Sequence, residues 1–150
     1  MFDALNQLFT PQPATDPAEQ AHRLHLASAV LMIEIGRADF HIDEAELEAV
    51  ADALQQRFGL SPAELAELLE LAHQESQDSH SLHPFLRRIN RHFDPQQKAE
   101  ILEDLWRVAF ADGRLDKYEE YHIRRIADLL HLPHSAFIRA KHRAEAERDS

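Results

Sequence analysis

Apolar residues in this chain recur three and four positions apart, and no window alternates apolar with polar residues over the length of a strand. Phe2, Leu5, Leu8 and Phe9 predict a short amphipathic helix, which Thr10-Pro11-Gln12-Pro13 ends. Asp16-Pro17-Ala18-Glu19 reads as an N-cap with proline in the first turn, opening a helix that carries Ala21, Leu24, Leu31 and Ile35 on one face to about Ala38. Leu47, Val50, Ala51, Leu54 and Phe58 predict the next helix, closed by Gly59. Ser61-Pro62-Ala63-Glu64 is a capping box before Leu65, Leu68, Leu69 and Ala72, and the polar run from Gln74 to Ser81 is a loop. Leu82, Phe85, Leu86, Ile89 and Phe93 make a further face, broken by Asp94-Pro95. The last three faces are Ile101, Leu105, Trp106 and Val108; Tyr118, Ile123, Ile126, Ala127 and Leu130; and, after Pro133, Phe137 and Ile138. The charged tail from Arg139 to Ser150 is expected to fray. The pattern predicts an all-α fold of about seven helices.

One stretch is written twice. Ala38-Asp39-Phe40-His41-Ile42-Asp43-Glu44-Ala45-Glu46 returns as Ala111-Asp112-Gly113-Arg114-Leu115-Asp116-Lys117-Tyr118-Glu119, an offset of 73 residues. Ile33-Glu34-Ile35-Gly36-Arg37 aligns with Trp106-Arg107-Val108-Ala109-Phe110, and after a slip of one residue Phe58-Gly59-Leu60-Ser61-Pro62 falls on Leu130-His131-Leu132-Pro133-His134. The chain therefore reads as one domain over 1–150, built from two related helix-loop-helix halves. Its core spans about 20–142, with a short helix over 2–9 before it and a charged tail over 143–150.

At 150 residues the chain can bury a core of its own. A net charge of −11 argues against a nucleic-acid partner and towards cations or basic proteins. With no cysteine there is no disulfide, thiolate metal site or cysteine nucleophile. Met1 to Phe9 lacks the features of a secretory signal, and the longest apolar run, Ala29 to Ile33, is far below a membrane span, so the expectation is a cytoplasmic chain. The eleven histidines show no convincing ligand spacing; His22 and His25, like His80 and His83, are merely three apart.

The six carboxylates of the duplicated stretch are Asp39, Asp43, Glu46, Asp112, Asp116 and Glu119. Asp43 with Glu46, and Asp116 with Glu119, fit the helix-start capping box, which accounts for four of them. Asp39 and Asp112 remain, each at the carboxyl end of a helix, where the macrodipole disfavours an anion. Either backbone N–H groups within the turn or a hard divalent cation, Ca²⁺, Mg²⁺, Mn²⁺ or Zn²⁺, offsets that charge. The run is not an EF-hand loop, because glycine directly follows Asp112 and Glu119 comes only seven residues on. If the halves pack about a pseudo-two-fold, all six acids converge on one surface.

The two Ala-Asp-x-x-(Ile/Leu)-Asp-x-x-Glu runs, the Phe58-Gly59-Leu60-Ser61 junction, Leu105 to Gly113, and Ile123 to Leu130 resemble the TerB-like family of tellurite-resistance proteins. The resemblance implies an all-helical duplicated fold and an acidic surface that binds divalent metal. It also implies association with partner proteins of tellurium-resistance and stress-response systems, some membrane-associated; related domains head J-domain co-chaperones. The first loop departs from the second in carrying Phe40-His41 where Gly113 follows Asp112.

Three functions compete: a non-enzymatic metal-responsive scaffold, a metal-independent interaction module in which the acids are only caps and surface charge, and a di-metal carboxylate enzyme. The enzyme needs paired Glu-x-x-His motifs, and Glu119-Glu120-Tyr121-His122 has no counterpart at Glu46-Leu47-Glu48-Ala49. No nucleophile with its base and no phosphate-cradling loop accompanies it, so a non-enzyme is expected, with self-association left open.

Overall fold

A computed structural model describes residues 2–10, 16–40, 42–74, 83–111 and 119–149, and among them there is no strand. The helices are α1 (Asp3–Asn6), continued by a 3-10 turn (Gln7–Phe9), α2 (Pro17–Asp39), α3 (Glu44–Phe58), α4 (Pro62–His73), α5 (Pro84–His92), α6 (Pro95–Ala111), α7 (Glu119–Leu129) and α8 (His134–Asp149). They fall into two compact units, Met1–His92 and Phe93–Ser150.

Local chemistry sets the boundaries. Asp16, Asp43, Ser61 and Asp94 each accept a backbone N–H of the turn they open, from Ala18, Glu46, Glu64 and Gln97. Glu64 and Gln97 reach back to the Ser61 and Asp94 N–H groups at 2.8 and 2.9 Å, which completes both capping boxes.

In the first unit α2 packs on α3, α4 and α5. Every residue from Leu26 to Gly36 is buried, so the middle of α2 is enclosed on all sides instead of presenting the single apolar face its periodicity predicts. Two polar residues share that enclosure, Ser28, which donates to the Leu24 carbonyl at 2.8 Å, and Glu34.

In the second unit α6, α7 and α8 pack on one another, with Ile101, Leu105, Trp106, Ile126 and Phe137 buried. The Trp106 ring stacks on Phe110 at 5.5 Å and leans on Phe137 at 5.4 Å. The fraying expected beyond Arg139 does not occur: α8 continues to Asp149, because Ala136, Ala140 and Ala144 form a buried stripe of small residues. Charged residues beside that stripe, Arg143 and Glu147, pair with α6.

The duplication shows most clearly at the end of α3 and of α7. Gly59 and His131 both adopt the left-handed conformation, at φ 64° and 63°. The following N–H returns to the carbonyl five residues back in each, Leu60 to Gln55 at 3.1 Å and Leu132 to Ala127 at 3.0 Å. A Cβ at Gly59 meets nothing within 4 Å, so only backbone strain opposes a side chain there. Gly59→Ala is expected to cost about 1 kcal/mol in urea unfolding. His131→Gly relieves the same strain but loosens the unfolded chain, so its change should stay below about 1 kcal/mol. Equal stability of Gly59→Ala and wild type would show that the turn tolerates a side chain freely.

Candidate functional site

The first acidic loop joins α2 to α3. Asp39 is the last residue of α2, and its Oδ1 lies 3.1 Å from Nε2 of His83, with both side chains 16% exposed. The charge that the helix dipole disfavours at this position is thus met by an imidazole from the residue that precedes α5. The other ring nitrogen, Nδ1, is buried and has no hydrogen-bond partner. Asp43 is the exposed N-cap of α3; its Oδ1 accepts the Glu46 N–H at 2.8 Å while its carbonyl accepts the Leu47 N–H at 3.0 Å. Glu46 lies half-buried in the first turn. One turn along, Glu44 and Glu48 bracket His73 of α4, with Nδ1 and Nε2 each 3.0 Å from a carboxylate. Those two contacts, Glu48 first, hold His73 above its ordinary pKa of 6.5.

Asp112 and Asp116 lie outside the described residues, as does the Glu119 side chain, whose backbone opens α7. The expected convergence of all six carboxylates thus falls outside the described residues. Among the described residues no three histidine or acidic side chains are placed to hold a metal ion. In the first loop one Asp39 oxygen faces an imidazole and one Asp43 oxygen accepts a backbone N–H, so each carboxylate is partly engaged. Of the spaced histidines, His80 lies outside the described residues and His83 faces Asp39. His22 Nε2 lies 2.9 and 3.0 Å from the two Glu64 oxygens, and His25 stacks on Phe58 at 4.6 Å.

Three charged residues do work that the sequence reading did not assign. Glu34, fully buried on α2, accepts the N–H groups of Phe85 and Leu86 at 3.0 and 2.9 Å, and so closes the start of α5. Burial pushes its carboxyl up from 4.5 to about 7, against the lowering effect of those two N–H groups and of Arg37 and Arg87. Glu67 of α4 does the same for α1, accepting from Ala4 at 2.8 Å and Leu5 at 3.0 Å. Lys98 of α6 is buried and donates to the Leu130 carbonyl just beyond α7 at 3.2 Å, and burial lowers its pKa. A lone charge inside an apolar run, as Glu34 is between Ile33 and Ile35, is the one signal in the sequence that marks such an anchor.

An acidic chain, helical throughout its regular described elements, whose sequence repeats an acidic Ala-Asp-x-x-(Ile/Leu)-Asp-x-x-Glu run is the class that this fold and these stretches define. The family model described as Tellurite resistance protein TerB matches residues 25–142, and the chain belongs to that family. No curated protein and no solved structure matches the chain. None of the helices among the described residues is long and apolar enough to cross a membrane.

Proposed function

We propose that this chain is a non-enzymatic helical scaffold acting in tellurite resistance and the associated stress response, docking partner proteins through an acidic face whose charge a divalent cation adjusts. What supports the reading is Asp39: a largely buried carboxylate ends α2, where the helix dipole disfavours an anion, and an imidazole nitrogen lies 3.1 Å from it. In the first loop, Asp39, Asp43 and Glu46 are open to metal only where it displaces His83. In the second, Asp112, Asp116 and Glu119 are the expected ligands, with Gly113 where the first loop carries Phe40.

The metal-independent alternative is favoured by the Asp43 cap and the Asp39–His83 contact, which leave these two acids already engaged. Calorimetric titration with Ca²⁺, Mg²⁺, Mn²⁺ and Zn²⁺ separates the two readings. Wild type is expected to bind, Asp39→Asn to lose the share of the heat that the first loop supplies, and Asp112→Asn/Asp116→Asn to lose the share of the second. Equal heats from all three proteins would leave the metal-independent module standing.

A further inference from the structure

The end of α4 is tied to both of the helices that the first acidic loop joins. Arg37, in the last turn of α2, donates from Nη1 to the Gln74 carbonyl at 3.1 Å. Glu44 and Glu48, one turn apart at the start of α3, each reach the His73 ring, Glu44 at Nδ1 and Glu48 at Nε2, both at 3.0 Å. The first tie joins a permanent cation to a carbonyl. The second depends on a proton.

A neutral imidazole carries one N–H and one lone pair, whereas an ionised carboxylate only accepts. Both contacts are therefore satisfied together only by the doubly protonated ring. Loss of either proton sets a nitrogen lone pair against a carboxylate oxygen. Because the two carboxylates lie at opposite ring nitrogens, the three side chains do not converge on one point as metal ligands must, and the cation that fits between them is a proton. The other charged groups around this end of α4 are Arg37 of α2, aimed at the next carbonyl, and Glu70 one turn back on α4 itself; α1 meets α4 only at Glu67, six residues back. The ring is 40% exposed and both carboxylates more so, which keeps each contact weak and the arrangement reversible. Lys117 and Tyr121 align with Glu44 and Glu48, and after the slip of one residue Glu145 aligns with His73, so the imidazole belongs to the first half alone.

We infer that His73 is a proton-operated clasp between α3 and α4, closed when its ring is doubly protonated and open when the ring is neutral. The α3 side of the first acidic loop is then pinned in acid and released in alkali, while Arg37 keeps the α2 side tied throughout. Glu48 first, and Glu44 after it, raise the ring's pKa above 6.5. The folded chain thus holds this proton more tightly than the unfolded one, so the clasp contributes fully below 6.5 and is lost as pH rises through the ring's own titration. Opening also leaves two carboxylates uncompensated beside Asp43, the N-cap of α3, and so makes the acidic face more negative. The device operates whether or not the loops hold metal.

NMR of the imidazole nitrogens reads the proton directly, with a chelator present and the His73 signals assigned from their absence in His73→Gln. Wild-type His73 is expected to titrate above 6.5, Glu48→Gln to lower that midpoint, Glu44→Gln to lower it by less, and the double variant to lower it most. Backbone amide exchange reads the clasp. Below the titration the amides of Leu47 to Val50 should be protected about two- to fivefold more in wild type than in His73→Gln, and the gap should close as pH rises through it. A wild-type midpoint at or below 6.5, a midpoint that neither glutamine moves, equal protection in acid, or a gap that persists unchanged in alkali each overturns the inference. All three side chains are exposed, so the substitutions leave the core intact. If His73→Gln nonetheless fails to fold, the two glutamate variants assign the signals instead, by the one ring that both of them move.

Discussion

Replacing Glu34 with glutamine is expected to flatten the dependence of stability on pH between about 4.5 and 7. The carboxyl of the folded protein titrates near 7, whereas the unfolded chain titrates at the ordinary 4.5. Below the lower value both states are protonated and the stabilising effect of keeping the proton is complete. As pH rises the unfolded chain ionises first, so stability falls through the window and levels off once the folded carboxyl has also ionised. A shift of this size corresponds to roughly 3 kcal/mol across the window.

Glutamine cannot ionise, and its single carbonyl oxygen satisfies one of the two α5 N–H groups that Glu34 accepts. At pH 5 Glu34→Gln should therefore be less stable than wild type by about 1–3 kcal/mol. The gap should narrow or reverse by pH 8, because only the wild type bears a buried charge there. Urea midpoints of the two proteins at pH 5 and 8 isolate this residue, since His73, whose raised pKa tilts stability in the same direction, is present in both. Parallel curves would show that Glu34 keeps one charge state throughout. Glu34→Ala, which strands both N–H groups and opens a cavity, should lose about 3–5 kcal/mol, a large share of the ~5–15 kcal/mol typical of a domain.

The helices were legible because their boundaries are made by neighbours in sequence. Asp16, Asp43, Ser61 and Asp94 bond within three residues of themselves, and Gly59 turns the chain where it stands, so composition and spacing contain all that is needed. The left-handed His131 was legible only through the repeat that places it on Gly59. The end of α8 was misread because a charged stretch looked solvated, and the Ala136, Ala140, Ala144 stripe that holds it down contributes little apolar area per residue. The candidate site divides the same way. Asp43 as a cap is a local fact, whereas the partner of Asp39 lies 44 residues ahead in His83, and the N–H groups that Glu34 accepts lie 51 and 52 ahead. Nothing periodic or compositional links such pairs; packing of α2 against α5 creates them.

Arg107→Ala is expected to be the most damaging change to the charged contacts of the second unit, and Arg107→Lys to recover only part of the loss. The repeat places Arg107 where the first half has Glu34, and the two residues serve as anchors of opposite sign. The Arg107 guanidinium lies 2.7 Å from Asp104, 3.5 Å from Glu103, and 2.6 and 3.0 Å from the two oxygens of Glu147 on α8. Glu147, held below its ordinary pKa by that hydrogen bond, is more than half exposed, so its share is at most about 1 kcal/mol. Asp104 is only 5% exposed and Glu103 10%, and removing the cation beside them raises the cost of two buried carboxylates. Arg143 still reaches Glu103 at 2.9 Å, which limits the damage there. The sum is roughly 2–4 kcal/mol for alanine. Lysine restores the charge but not the two-pronged contact with Glu147, so about half of the loss should persist, with faster amide exchange over 140–149 as α8 loosens from α6. If Arg107→Ala melts with wild type, α8 is held by Phe137 and its alanine stripe, and the charged pairs along α6 contribute only to the surface.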